Sequence, residues 1–202
     1  MTKTFIVSVG AAKKEFTLYT GIATRSSKFF QAALSRNWKE SQENRVVLVE
    51  VHPDVFEGYL QWLNTGVITS SFPIGKPTTF DLAELYILGD FLDDATFRDA
   101  VLDDLTYSAY DTWPGICSVN LVWDNTTRDS PLRALILEIW AEKPMPLVVE
   151  KLVREADEYP GAFMAELIEH VALSDRIGSK DSCCRHHFVK QLKEFRRGLG
   201  KK

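Results

Sequence analysis

The sequence is short of cysteine: among 202 residues it has only Cys117, Cys183 and Cys184. An odd count with two of them adjacent is not a disulfide framework, so a reducing compartment, cytosol or nucleus, is expected. No run of about eighteen apolar residues is present, which excludes a membrane-spanning helix. The opening MTKTFIVSVG enters an alternating pattern at once and lacks the apolar stretch of a signal peptide. Asn125-Thr126-Thr127 matches a glycosylation acceptor, but without a secretory signal it reads as a chance match. Gly-x-Ser-x-Gly, a P-loop, Gly-x-Gly-x-x-Gly and His-Glu-x-x-His are all missing. An enzyme reading therefore has no residues to stand on, and a non-catalytic chain without a cofactor is expected. There is no internal repeat and no low-complexity segment.

What is present is a globular composition, 45% hydrophobic and 26% charged, enough to bury a core. The net charge of -4 is unevenly spread. Residues 176–202 hold nine Lys or Arg against Asp181 and Glu194, a balance of +7, which leaves -11 for the rest. A basic tail on an acidic body implies two surfaces, not one nucleic-acid-binding domain.

Residues 4–9 and 15–19 alternate, with Phe5, Val7, Val9, Phe16 and Leu18 on one face, and predict a hairpin. Ile22 starts a helical turn, and Ser27 caps a helix whose apolar face is Phe29, Phe30, Ala33 and Leu34. Residues 36–44 read as a loop. Residues 45–51, RVVLVEV, read as a strand covered on both sides. Pro53 opens a helix that is apolar almost all round, hence central, and ends at Thr65-Gly66. Val67 to Thr69 predict a short strand, and 70–79 a loop. A helix follows from Asp81, with Asp81 and Glu84 as its capping pair, to about Leu92. Asp93-Asp94 breaks it and starts the next, which runs to about Tyr110. Trp113-Pro114-Gly115 marks a boundary. Beyond it lie amphipathic helices at about 116–124, from Ser130-Pro131, after Pro146 and after Pro160-Gly161, and the simplest partner for them is the first half of the chain. The division is 1–110, 111–178 as a helical region packed on the first, and 179–202 as a basic tail.

Among chemically suggestive residues, Cys183, Cys184, His186 and His187 are zinc-ligand types, but a closed site needs four ligands placed tetrahedrally and adjacent residues rarely all reach one ion. No metal is expected there. Asp93-Asp94 and Asp103-Asp104 read as helix caps and solvated faces. The tail 188–202 reads as a short basic amphipathic helix, with Lys193, Arg196 and Arg197 as candidates for a partner, nuclear-import, membrane-surface or nucleic-acid contact. The aromatics Phe29, Phe30, Phe56 and Trp62 read as core. In the loops, Trp38 and Phe72 are the candidate partner anchors.

The ordered set resembles a BTB/POZ domain over residues 4–110. Its parts are the hairpin, Ser27-x-Phe29-Phe30, the Val46–Val51 strand, Leu60-x-Trp62-Leu63-x-Thr65-Gly66 and Leu85-Tyr86-x-Leu88-Gly89-Asp90-x-Leu92. With Trp123-Asp124-Asn125-Thr126, Ser130-Pro131-Leu132-Arg133 and Cys184-Arg185-His186-His187 it is similar to the short BTB-domain proteins of filamentous fungi. Tyr19 and Asn64 stand where that group usually has His and often has Tyr. The resemblance implies an α+β fold, a small mixed sheet flanked by helices, and a non-catalytic interaction module serving as scaffold or adaptor. One adaptor job it implies is substrate recruitment to a cullin-RING ubiquitin ligase; the hydrophobic-x-Glu triplet of strong cullin adaptors has no counterpart in 67–80, which lacks Glu. Only Met1 to Lys3 precede the first strand, so the N-terminal helix of the family's dimer seam is absent and a monomer or non-swapped dimer is expected. The alternative is a nuclear, transcription-associated regulator that uses the basic tail.

Overall fold

Alternation at the start of the chain becomes a strand pair. β1 (Thr4–Val9) and β2 (Lys14–Tyr19) run antiparallel with Thr4 opposite Tyr19 and Val7 opposite Phe16. The computed structural model describes residues 3–35, 44–68, 77–108, 113–142 and 145–176. These form a mixed α+β chain with a three-stranded sheet and nine α-helices among the described residues. The chain divides into two compact units, Met1–Leu105 and Thr106–Lys202.

In the first unit β3 (Arg45–Leu48) pairs with β1 in parallel, so the sheet order is β2-β1-β3. Between β2 and β3 the chain forms α1 (Thr20–Ser26) and α2 (Lys28–Ala33). Ser27 caps α2 as expected, accepting from the Phe30 N–H at 3.1 Å. Three further helices follow: α3 (Pro53–Thr65), α4 (Thr79–Phe91) and α5 (Ala95–Ser108), the last of which runs three residues past the end of the unit. Pro53 occupies the first turn of α3, and Gly66 ends it at φ +72°, a left-handed conformation that glycine adopts without Cβ strain. The core is Phe5, Val7, Val9, Leu18, Phe30, Val46, Phe56, Tyr59, Leu85 and Phe97, all buried.

Several expectations are corrected. β3 ends at Leu48, and Val47 and Val49 are 52% and 59% exposed, so the strand is covered on one face only. Its β-branched run reflects strand propensity rather than two-sided burial. Val67 and Ile68 are outside any strand, and Thr69 lies outside the described residues. α3 is not buried all round, since Leu60 and Leu63 are only half-buried. α4 starts two residues early: Thr78 and Asp81 form the capping box, Asp81 N–H to Thr78 Oγ1 at 3.3 Å and Thr78 N–H to Asp81 Oδ2 at 2.8 Å. Glu84 is one turn further in, too far to reach the first free amides.

Two glycines set how closely the helices approach. A Cβ on Gly58 would lie 2.9 Å from Leu85 Cδ2, and one on Gly89 would lie 2.9 Å from both Phe97 Cδ1 and Arg98 Cγ. Both distances are below van der Waals contact, so α3 meets α4, and α4 meets α5, through bare backbone.

The second unit holds α6 (Ile116–Asn125), α7 (Pro131–Ala141), α8 (Met145–Arg154), a 3₁₀ turn at Ala156–Glu158 and α9 (Gly161–Arg176). Ser130 caps α7 as its sequence predicts. Aromatic side chains of α7, α9 and the segments before α6 and α9 meet around Trp140, which is fully buried, with ring centroids 4.7 Å from Trp113, 5.5 Å from Tyr159 and 5.2 Å from Phe163. Edge-to-face pairs of this kind contribute about 0.5–1.5 kcal/mol each beyond area burial.

Candidate partner-binding surface

The residues singled out from sequence as partner contacts or metal ligands are Trp38, Phe72, Lys193, Arg196, Arg197, Cys183, Cys184, His186 and His187. All lie outside the described residues. Among the described residues no group of three His, Cys, Asp or Glu could hold a metal ion, and no helix is long and apolar enough to cross a membrane. Of the four aromatics read as core, Phe30, Phe56 and Trp62 are buried. Phe29 is half-buried and touches Phe91, itself 55% exposed, at 5.3 Å between centroids.

The Asp93-Asp94 pair is structural, as its helix-cap reading expects. Asp93 turns the chain at φ +44°. Asp94 is fully buried and caps α5, its Oδ1 accepting from the Phe97 N–H at 3.0 Å. Its Oδ2 accepts from Ser26 Oγ at 2.6 Å and from the Tyr59 hydroxyl at 3.0 Å. Burial, and then the Asp94 charge, push the Tyr59 hydroxyl far above its ordinary range, so it stays a donor. Ser27 Oγ donates to the Leu92 carbonyl at 2.7 Å. One carboxylate thus joins the α1–α2 junction, α3 and the start of α5.

The Trp123-Asp124-Asn125-Thr126 and Ser130-Pro131-Leu132-Arg133 segments meet in the second unit. Arg133 is buried, with its guanidinium 5.0 Å from the Trp123 ring. Nε donates to Thr126 Oγ1 at 3.0 Å, Nη2 to the Trp123 carbonyl at 2.8 Å and the Thr126 carbonyl at 2.5 Å, and Nη1 to Glu166 at 3.2 Å. A cation at the end of α6 satisfies carbonyls that the helix leaves open. These motifs close a helix turn.

In the order β2-β1-β3 both outer strands are edges among the described residues, and the edge with a cleft beside it is that of β2. The Thr20 N–H donates to the Lys3 carbonyl at 2.9 Å. In an antiparallel ladder the hydrogen-bonded pairs alternate, so Lys14, Phe16 and Leu18 face β1 while Glu15, Thr17 and Tyr19 turn their backbone groups outward. The opposite edge of β1 obeys the same alternation: Ile6 and Gly10 donate to the Asn44 and Leu48 carbonyls on the β3 side at 2.9 and 2.8 Å. Glu15, Thr17 and Tyr19 are exposed. Beside this edge lies a cleft of about 200 Å³ lined by Thr17, Leu18, Tyr19, Ile22, Leu60 and Leu63 among others.

Sequence reasoning did not single out this surface. Thr17 carries no motif, Leu60 and Leu63 enter only the fold-level pattern around Trp62, Tyr19 enters only as a substituted position, and whether β2 is an edge strand depends on where β3 pairs. The one signal available was the breadth of the apolar face of α3, wider than a single buried stripe needs. Comparison with protein-family models and with curated proteins finds no match to this chain.

Proposed function

We propose that this chain is a protein–protein interaction module of the BTB/POZ type, non-catalytic, working as a scaffold or adaptor. The observation that carries the reading is the sheet: a hairpin whose first strand also pairs in parallel with a third strand, the small mixed sheet flanked by helices that the resemblance implies. The open β2 edge with a cleft beside it is a second support, because main-chain groups next to an apolar recess suit a polypeptide partner. Substrate recruitment to a cullin-RING ligase is the narrower form of this proposal. Fold-level analogy is its warrant, so it stands or falls on partners. The test is affinity purification of the full chain from its native cell, followed by gel filtration and mass spectrometry. A protein co-eluting stoichiometrically supports the module, and a cullin in that peak assigns the ligase role. Recovery of no stoichiometric partner refutes the module.

A further inference from the structure

We propose that the open edge of β2 and its cleft bind an extended acidic peptide segment carrying one aliphatic side chain, which adds to the sheet as a fourth strand. The proposal rests on the interaction-module reading and names the chemistry of the partner.

Three observations specify the occupant. The first is the main chain. Glu15, Thr17 and Tyr19 present outward amides and carbonyls at every second residue, about 6.8 Å apart, and only an extended backbone matches that spacing. No backbone partner serves the amides of Thr17 or Tyr19 among the described residues.

The second is the recess. Leu18, Ile22, Ala23, Leu60 and Leu63 floor the cleft, and Asn64 at its rim spends its amide on the Leu60 carbonyl at 2.8 Å. About 200 Å³ is room for one aliphatic side chain.

The third is charge. Residues 1–28 hold five basic residues, Lys3, Lys13, Lys14, Arg25 and Lys28, against one acid, Glu15. Residues 29–105 hold five basic against thirteen acidic. Lys14 pairs with Glu57 at 2.5 Å and Lys28 with Asp93 at 3.2 Å. Glu15 is neutralised by Arg45 at 2.6 Å. Lys3, Lys13 and Arg25 have no ion-pair partner among the described residues. Lys3 precedes β1 opposite Thr20 at one end of the hairpin, and Lys13 lies in the turn at the other. Arg25 follows Ile22 by three residues on α1, on the same helix face. The edge is therefore bracketed by cations on an otherwise acidic unit, which selects acidic flanks in a partner and rejects basic ones.

The test uses the full chain and a fluorescein-labelled heptapeptide, Glu-Val-Glu-Leu-Glu-Val-Asp, read by anisotropy. Binding that weakens with salt is expected. N-methylation of the probe's edge-facing amides, its central leucine changed to aspartate, or lysine in place of each acid should each weaken it by about tenfold or more. Thr17→Pro removes an edge donor and Leu63→Glu fills the recess with charge; both should have the same effect with unchanged circular dichroism and melting. The probe changes cannot unfold the protein, so they decide the matter if a variant misfolds. Absence of binding at millimolar probe, equal binding of the N-methylated or lysine probe, or displacement by an oligothymidine overturns the proposal. A dimer by sedimentation that Thr17→Pro dissociates also overturns it, in favour of a second copy on the edge. If cellular partners are recovered equally by wild type and both variants, this inference fails while the module reading stands.

Discussion

Arg133→Met is the sharpest test of how the second unit is held together. Methionine keeps most of the stem length and can still lie against Trp123, so the change removes chiefly the charge and the donors. What is left behind is costly. Glu166, whose side chain is 12% exposed, loses its cation. The Trp123 and Thr126 carbonyls at the end of α6 lose their donor. Breaking a buried pair from one side costs about 3–5 kcal/mol. With a urea slope of about 2 kcal/mol/M, that moves the midpoint down by about 1.5–2.5 M. The assay is urea unfolding followed by far-UV circular dichroism and tryptophan fluorescence, the latter weighted to this unit because Trp113, Trp123 and Trp140 all belong to it. Glu166→Gln alone should cost about 1 kcal/mol, since its amide oxygen still accepts. Combined with Arg133→Met it should cost less than the two singles added, by about 1–3 kcal/mol, because no uncompensated charge remains. A loss below about 1 kcal/mol for Arg133→Met, or strict additivity in the double variant, would refute the view that Arg133 ties α6, α7 and α9 together.

Three further outcomes are expected from the first unit. Asp94→Ala removes the α5 cap and the acceptor of the buried Tyr59 hydroxyl, and should cost about 2–4 kcal/mol in chemical denaturation. Asp94→Asn, which keeps the cap oxygen and lets both hydroxyls turn to accept, should cost clearly less. Gly89→Ala must push Phe97 and Arg98 away from α4 and should lose about 1–3 kcal/mol despite alanine's better helix propensity; a neutral result would show that α4 and α5 are not in backbone contact. Glu84 is raised by burial first and by Asp81 second, with His52 opposing. A raised folded value means that its ionisation costs the folded state, so the contribution is favourable below the unfolded pKa and is lost as pH rises through the folded one. Glu84→Gln should therefore melt higher than wild type at neutral pH, and the gap should close as pH falls below the ordinary carboxylate range. A gap that widens in acid would invert the sign.

Local chemistry made much of this fold readable. Ser27 and Ser130 cap their helices, Pro53 and Pro131 open theirs, Gly66 closes one, and the Val7–Phe16 hairpin is written in its alternation, because caps, turns and two-residue periodicity act between near neighbours. The cap belongs to Thr78 and not to Asp81, because which short polar residue reaches the free amides depends on where the helix starts. The β3 run suggests a two-sided strand in sequence because valine reports strand preference without reporting what lies across each face.

The tertiary structure decided everything that depends on distant pairing. That Asp94 would be a buried hub for Ser26 and Tyr59 needed residues 68 and 35 positions away. That Gly58 and Gly89 would mark bare helix contacts needed the facing side chains. Above all, β2 is an edge because β3 returns to the far side of β1, and an edge strand's unpaired amides have no signature in its own residues. The sequence by itself determined most of the elements and the basic bias of residues 1–28. Chain topology alone turned the second strand of the hairpin into an open edge.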